Sequence, residues 1–446
     1  MKKKLTEESI LFISVFKWFI LATLVGIMVG TAVSCFLKIL DLSTAGVQQF
    51  PSYFFLLPLV FFLCSLAIKY LAPDAAGHGT EKVIEAVHKS AGKINPLVVP
   101  VKFAASIITL AFGGSAGKEG PCAQIGAGLS SIFADLFRFD ANDRRKLVIC
   151  GISAGFASVF GAPIAGAIFG IEVLFVGGIL YDVMLPSFIA GVTSYQVSSA
   201  LGITYFHHTI KFAPVFSEVL FIKVALAGVF FGLCSFLLVE ALRLGEKISS
   251  LIPIWQPLKG LLGGGALVVL TLIFSTRYLG LGLETIQAAL NGEAIVWYAF
   301  LMKTLFTAIT LSFGGSGGII TPIFFIGATA GVLFATVLGL SIATFAAIGM
   351  VSLLAGAANT PIAASILAIE LFGPKIAAYA AVACVIRCLM TGHRSVYPSQ
   401  VLTMKKSSSL KIDTGHVVKG ATIEYRSREK SLVSNFLKLW RRFWPK

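Results

Sequence analysis

The sequence predicts an all-α, polytopic membrane protein built from two repeats with broken helices. Three observations predict it. Of 446 residues, 57% are hydrophobic and only 13% charged, against about 25% charged in a soluble globular chain. Low-charge runs recur along the whole length, at 52–68, 103–113, 147–171, 216–239, 261–276, 294–314, 319–368 and 376–386. Some exceed the roughly 18 apolar residues that mark a membrane helix and others fall short. A glycine-rich, proline-ended loop is also written twice, as GGSAGKEGP at 113–121 and GGSGGIITP at 314–322, a shift of 201 positions. Short, glycine-interrupted segments beside long ones indicate re-entrant or broken helices, which survive only where protein or a cavity surrounds them.

Taken in chain order, the start MKKKLTEESI is basic and then acidic, and residues 1–14 read as an N-terminal cytoplasmic segment. The apolar run at 11–33 has no small-residue cleavage site leading into a soluble domain. It is an uncleaved amphipathic or spanning helix rather than a removed signal. Two homologous halves follow, at 15–207 and 218–400. After the first glycine loop comes AGFASVFGAPIAGAIFGIE, and after the second AGAANTPIAASILAIE. In both, Pro-Ile-Ala leads a glutamate by nine positions: Pro163 and Glu172, then Pro361 and Glu370. Repeats in transporters are commonly inverted across the membrane, with the substrate where they meet. The sequence by itself does not show the inversion.

Residues 403–446 form a basic C-terminal tail, eleven Lys or Arg against three Asp or Glu in a chain of net charge +15. Basic flanks favour the cytoplasm and are drawn to its anionic lipid. Trp440 and Trp444 fit interfacial anchors better than base-stacking platforms, so lipid is the expected partner and nucleic acid is not. The cysteines, at 35, 64, 122, 150, 234, 384 and 388, form no CxxC pair. They read as buried thiols, with no metal, disulfide or cofactor implied.

The loops carry the chemistry. Gly113, Gly114 and Gly117 can leave backbone amides facing a site. Pro121 and Pro322 each mark a helix beginning, where a missing amide costs little. Free amides at a helix start make an anion-binding end. Two such ends meeting inside the membrane would hold a dehydrated anion without a full opposite charge, weakly enough to let it leave. Lys118 and Glu119 stand in only one copy. An ionised Glu119 occupies the anion site itself; a protonated one can leave and admit an anion. Lys118 is a charge that draws anions in.

The stretch GKEGPCAQIG (117–126) resembles the gating-glutamate signature of the CLC chloride channel and transporter family. GGIITPIFFIG (317–327) resembles the family's second loop, TGHRSVYPSQ (391–400) its central-tyrosine region, and APIAGAIFGIE (162–172) the helix after the first loop. VPVKF (99–103), with Lys102, also fits. The resemblance implies a fold of two inverted repeats and a homodimer whose subunits each have a pore. It implies Glu119 as the external gate, and Tyr397 and Ile320, the latter through its backbone amide, as anion ligands. Gly79, Gly120, Lys118 and Thr321 join them in the anion-binding set. The tail is too short for the paired regulatory domains of many eukaryotic members, so the prokaryotic type is implied.

This chain departs from the family pattern in three places. Residues 77–81 read GHGTE, so His78 holds the serine position of the first anion motif. An imidazole donates one hydrogen bond when neutral and more strongly when charged. Substitution there marks family members that carry other anions, fluoride included. Ile320 replaces a common phenylalanine, and Thr321 adds a hydroxyl. Val173 follows Glu172 where proton-coupled chloride exchangers usually have an internal relay glutamate, and a valine cannot titrate. Glu172 is expected to pair with Lys102, as a structural pair or a proton path.

These readings rank the function classes. A glutamate-gated chloride channel of this family comes first, with a fluoride–proton or chloride–proton antiporter as the alternative. The location implied is a cell inner or plasma membrane, crossed many times. An ATP-driven pump is disfavoured, since no phosphate-binding G-x-x-x-x-G-K-[ST] loop occurs. A membrane-embedded enzyme is the remote alternative, resting on His78 with Glu81 or on the pair His207 and His208. Neither has HExxH spacing, so the chain is read as a non-enzyme.

Overall fold

The computed structural model describes residues 2–205, 218–421 and 424–425. The pair His207 and His208 and the tail tryptophans lie outside the described residues. Sixteen α-helices occur among those described. In the first half they are α1 (Lys2–Gln48), α2 (Leu57–Leu71), α3 (Thr80–Lys89), α4 (Val98–Ala111), α5 (Glu119–Leu136), α6 (Ala141–Phe160), α7 (Pro163–Glu172) and α8 (Met184–Ala200). In the second they are α9 (Glu218–Leu251), α10 (Gln256–Ile273), α11 (Leu283–Leu290), α12 (Ala299–Ser312), α13 (Ile320–Leu338), α14 (Ile342–Ala357), α15 (Pro361–Phe372) and α16 (Ala377–Met390). The order repeats helix for helix, α4 and α12 lying 201 positions apart as the glycine loops do. Helix α1 runs unbroken through the boundary expected after residue 14.

Helix lengths vary because the sequence punctuates its apolar runs. The long run 319–368 holds three helices. Gly339, at φ +62°, ends α13 in the left-handed region, the usual glycine stop. Pro361 opens α15, where its missing N–H costs nothing. Among the described residues, five stretches are long and apolar enough to cross a membrane: Thr6–Gln48, Tyr53–Leu71, Glu218–Leu251, Gln256–Ile273 and Ile320–Leu338. With 34 residues, α9 is about 51 Å long, longer than a hydrocarbon core of about 30 Å, and its polar end from Glu240 onward can project beyond that core. With 10 residues, α7 reaches about 15 Å and cannot cross alone.

Small residues set the closest packing. Gly126 of α5 faces Gly151 of α6, and Gly327 of α13 faces Gly349 of α14. A Cβ at any of the four would strike the backbone carbonyl of its partner. Lipid tails are as apolar as leucine, so membrane helices associate through such close van der Waals contact.

The first part of the tail is folded onto this body. β1 (Phe175–Val176) pairs in parallel with β2 (Val401–Leu402), and β3 (Leu410–Lys411) pairs with β4 (Glu424–Tyr425). Val176, Leu402, Ile412 and Val418 form a small separate core. Lys406 donates to Asn359 Oδ1 and to the Cys388 carbonyl, both at 2.6 Å. Lys406 therefore has protein partners in addition to any lipid.

Candidate functional site

The two glycine loops meet. Gly117 N–H donates to the Gly318 carbonyl at 2.7 Å and Gly318 N–H returns the bond to Gly117 at 2.5 Å, an antiparallel bridge between the halves. Each loop is also held by the opposite half. Ser115 N donates to Thr310 Oγ1 at 3.0 Å, and Ser316 N to Thr109 Oγ1 at 3.1 Å. The Ser115 hydroxyl meets Thr307, and the Ser316 hydroxyl meets Ser106. The amides of Gly113 and Gly114 bond the carbonyls of Leu110 and Thr109. The expectation of free amides at Gly113, Gly114 and Gly117 is thus corrected. Their groups close the loops, because a buried backbone donor must find a partner.

What the loops aim at the centre is three helix starts. Glu119 opens α5 and Ile320 opens α13, each two residues ahead of the proline expected to mark it. Thr80 opens α3. Gly79, at φ +78°, precedes it, and a Cβ there would lie 2.6 Å from the Gly120 carbonyl oxygen. A Cβ on Gly120 would in turn strike the His78 carbonyl. Glycine at both positions lets the starts of α3 and α5 touch backbone to backbone. Each helix start carries a partial positive charge.

Glu119 is 2% exposed and lies in this field. Its Oε2 accepts from Thr321 N at 3.1 Å and its Oε1 from the Thr321 hydroxyl. Lys118, partly buried as the residue before α5, acts on the Glu119 carboxylate electrostatically. The His78 and Tyr397 rings lie 5.6 Å apart. His78 Nδ1, Thr80 Oγ1 and the Tyr397 hydroxyl are all buried without a hydrogen-bond partner among the described residues. Burying one such group costs roughly 1–3 kcal/mol, and three together mark a place built to receive an acceptor. Ile320 is buried at the start of α13, and its neighbour Thr321 supplies the amide and hydroxyl that grip Glu119.

The expected Glu172–Lys102 pair does not form. Lys102 donates to the carbonyls of Ala75 (3.1 Å) and Gly77 (2.6 Å), fixing the loop that carries His78. Glu172 instead accepts from the amides of Ile362 and Ala363, at 3.1 and 2.8 Å, at the start of α15. Glu370 returns the arrangement, accepting from Ile164 and Ala165 at 3.0 and 2.8 Å at the start of α7. A carboxylate gains more from a helix start than from a lysine already held by two carbonyls. Val173 is fully buried, and its carbonyl accepts from Gln400 Nε2 at 2.7 Å. Glu81 does not pair with His78. Its Oε1 accepts from the amide and hydroxyl of Ser399, at 2.9 and 2.6 Å.

Two groups escaped the sequence reading. Lys303 donates to the carbonyls of Tyr278 and Gly280, at 3.1 and 2.7 Å, repeating Lys102 in the second half. The 201-position shift from Lys102 was the signal for it. Thr80 is the other, and its hydroxyl faces the Tyr397 side of the site. Two hollows flank the centre. One of about 200 Å³ beside α3 is lined by Lys82, Glu85, Lys89, Asp74 and Gln124. One of about 890 Å³ beside α11 is lined by Arg277, Gly280, Glu284 and Glu293 among others.

The family model described as voltage gated chloride channel matches residues 60–392. A chloride/fluoride channel protein of Pseudomonas syringae pv. tomato is 38% identical over 394 residues, 86% of each chain. The voltage-gated ClC-type chloride channel ClcB of Escherichia coli is 30% identical over 316 residues, 67% of this chain and 74% of that protein. Among solved structures, a CLC-type fluoride/proton antiporter superposes with a TM-score of 0.83 at 28% identity, covering 87% of this chain and 98% of the other. A slow cyanobacterial Cl−/H+ antiporter gives 0.73 at 21% identity, covering 84% and 94%, which speaks to the fold alone.

Proposed function

This chain belongs to the voltage gated chloride channel family, and from that premise we propose that it carries a small halide across a membrane along a path gated by Glu119. One observation carries the reading. The Glu119 carboxylate holds the amide and hydroxyl of Thr321, inside a ring of helix starts and beside three unpartnered buried donors. A carboxylate and a halide compete for the same donors. Protonation removes the charge that holds Glu119 there, so the side chain leaves and an anion enters.

Fluoride, as the halide, exchanged for protons is the best fit. Hydroxyl and imidazole donors are directional, and fluoride is the smallest and strongest acceptor among halides. The likeness to the fluoride/proton antiporter points the same way. A passive chloride pathway is the second reading, carried by Val173, which leaves the usual relay position without an acid. His78, Gly79, Gly120, Ile320, Thr321 and Tyr397 line the anion path, and Lys118 adds positive potential beside the gate. The working unit is a homodimer in a cell inner or plasma membrane, each subunit with its own path. The tail contacts anionic lipid. No covalent chemistry is assigned.

The test is purified protein in sealed liposomes, with fluoride and chloride gradients compared and proton movement recorded. Wild type moves protons against the fluoride gradient. Glu119→Gln mimics the protonated gate, so it keeps or raises anion flux while losing pH dependence and proton movement. An unchanged pH profile in that variant removes the gate assignment. Chloride flux without proton movement under either gradient selects the passive reading.

A further inference from the structure

We propose that Glu81 is the second proton-carrying carboxylate of this transporter, taking the role that Val173 leaves empty. This rests on the fluoride–proton reading and deepens it. A proton that opens the gate at Glu119 must reach or leave the far side of the anion site. A buried acid on that side shortens the apolar stretch it has to cross.

Four features place Glu81 there. It follows Thr80, whose unpartnered hydroxyl lies beside Tyr397. Glu81 and Glu119 both act on the Tyr397 phenol electrostatically, so both carboxylates lie within reach of this tyrosine. Only one Glu81 oxygen is satisfied among the described residues. Oε1 takes both Ser399 bonds, while Oε2 is buried with no partner. A fixed carboxylate with one free buried oxygen is a proton acceptor held in place. Finally, α3 is not among the apolar helices. Its next residues, Lys82 and Glu85, line the 200 Å³ hollow, so a proton leaving Glu81 meets a polar surface.

Burial lifts the Glu81 carboxyl to about 7, against the pull of the two Ser399 donors. At neutral pH it can therefore both take and give a proton. Lys82, Glu85 and Lys89 face it from its own helix. Tyr397 and Ser399 face it from the 397–400 loop, and Glu119 of α5 acts on the same tyrosine. From α6, Arg145 acts on His88 at the other end of α3. The transfer is a proton relay only. Glu119–COOH gives its proton to the hydroxyl chain of Tyr397 and Thr80, and Glu81 carboxylate takes one from its other end. No bond to carbon changes.

Glu81→Gln and Ser399→Ala separate this role from a mere anchor of the 397–400 loop. In liposomes with a fluoride gradient, E81Q should cut proton flux at least tenfold while fluoride flux persists. Glu81→Asp should restore proton flux in part. S399A removes one bond to Glu81 but keeps the acid, so its proton-to-fluoride ratio should match wild type. Unchanged stoichiometry in E81Q, or equal loss of coupling in E81Q and S399A, overturns the proposal. If wild type moves no protons with either halide, the exchanger reading itself falls, and the Glu81 role with it. That outcome is read on wild type alone and is distinct from the failure of Glu81.

Discussion

At the scale of the residue, His78 is the departure with the most to say about selectivity. Its ring is 9% exposed, stacked at a tilt near Tyr397, with Nδ1 unpartnered. Its position in the loop is set by its neighbours, since Lys102 grips the Ala75 and Gly77 carbonyls and Gly79 meets Gly120. The imidazole itself is therefore free to be exchanged without loosening the backbone. His78→Ser should leave the protein folded and dimeric and shift halide preference toward chloride. A tenfold shift corresponds to about 1.4 kcal/mol. Competition between fluoride and chloride efflux measures it, alongside size-exclusion chromatography. Loss of folded protein with unchanged preference in the survivors contradicts a selectivity role. The sequence made His78 and Glu119 visible through their odd place in glycine loops. It left Glu81 among the weak enzyme candidates, because the Ser399 bonds span 318 positions.

At the scale of the element, α7 and α15 hold each other's starts. Each carries a glutamate in its last turn that caps the other, so the pair locks antiparallel across the two halves. A helix start leaves N–H groups without intrahelical partners, and hydrogen bonds to charged groups contribute about 1.5–3 kcal/mol each. Glu172→Ala should lower the thermal midpoint in detergent, with Glu370→Ala doing the same. Proton stoichiometry in liposomes should not change in either. Loss of proton movement in E172A at an unchanged melting temperature would instead make Glu172 a proton carrier. The nine-residue Pro–Glu spacing in both repeats already marked these helices as equivalent. It did not reveal that each glutamate serves the other copy, since spacing along one chain carries no partner.

At the scale of the whole molecule, an apolar face is left on α7, α8, α15 and α16. Ile164, Leu185, Ile362, Ile369 and Leu389 are exposed on these four helices. Lipid covers such a face without gain, so it is not decisive alone, but these helices border the reciprocal caps where the halves meet. In the homodimer reading they face the second subunit. Replacing Ile362 and Ile369 together with tryptophan should convert the dimer to monomer on light scattering, with halide flux per polypeptide kept within about twofold. A dimer that survives the double change moves the interface elsewhere. Abolished flux in a folded monomer would mean that the path is not contained in one subunit.

The sequence by itself determined the solvent and the duplication, and it singled out Glu119, the residue proposed here as the gate. Composition is additive, so 57% hydrophobic residues and scarce charge specify a membrane without any knowledge of contacts. A shift of 201 positions is a property of the string, and Glu119 stands out because only one copy has it. Tertiary structure decided what each polar group touches. Of the loop amides expected to face an anion, that of Gly117 bonds the opposite repeat and those of Gly113 and Gly114 close onto their own. The lysine expected to meet Glu172 holds carbonyls, and the glutamate caps a helix 190 positions away. Buried donors and acceptors in an apolar surrounding must be satisfied. Which partner satisfies them depends on which helix ends the fold brings within about 3 Å, and that distance is not written in the order of residues.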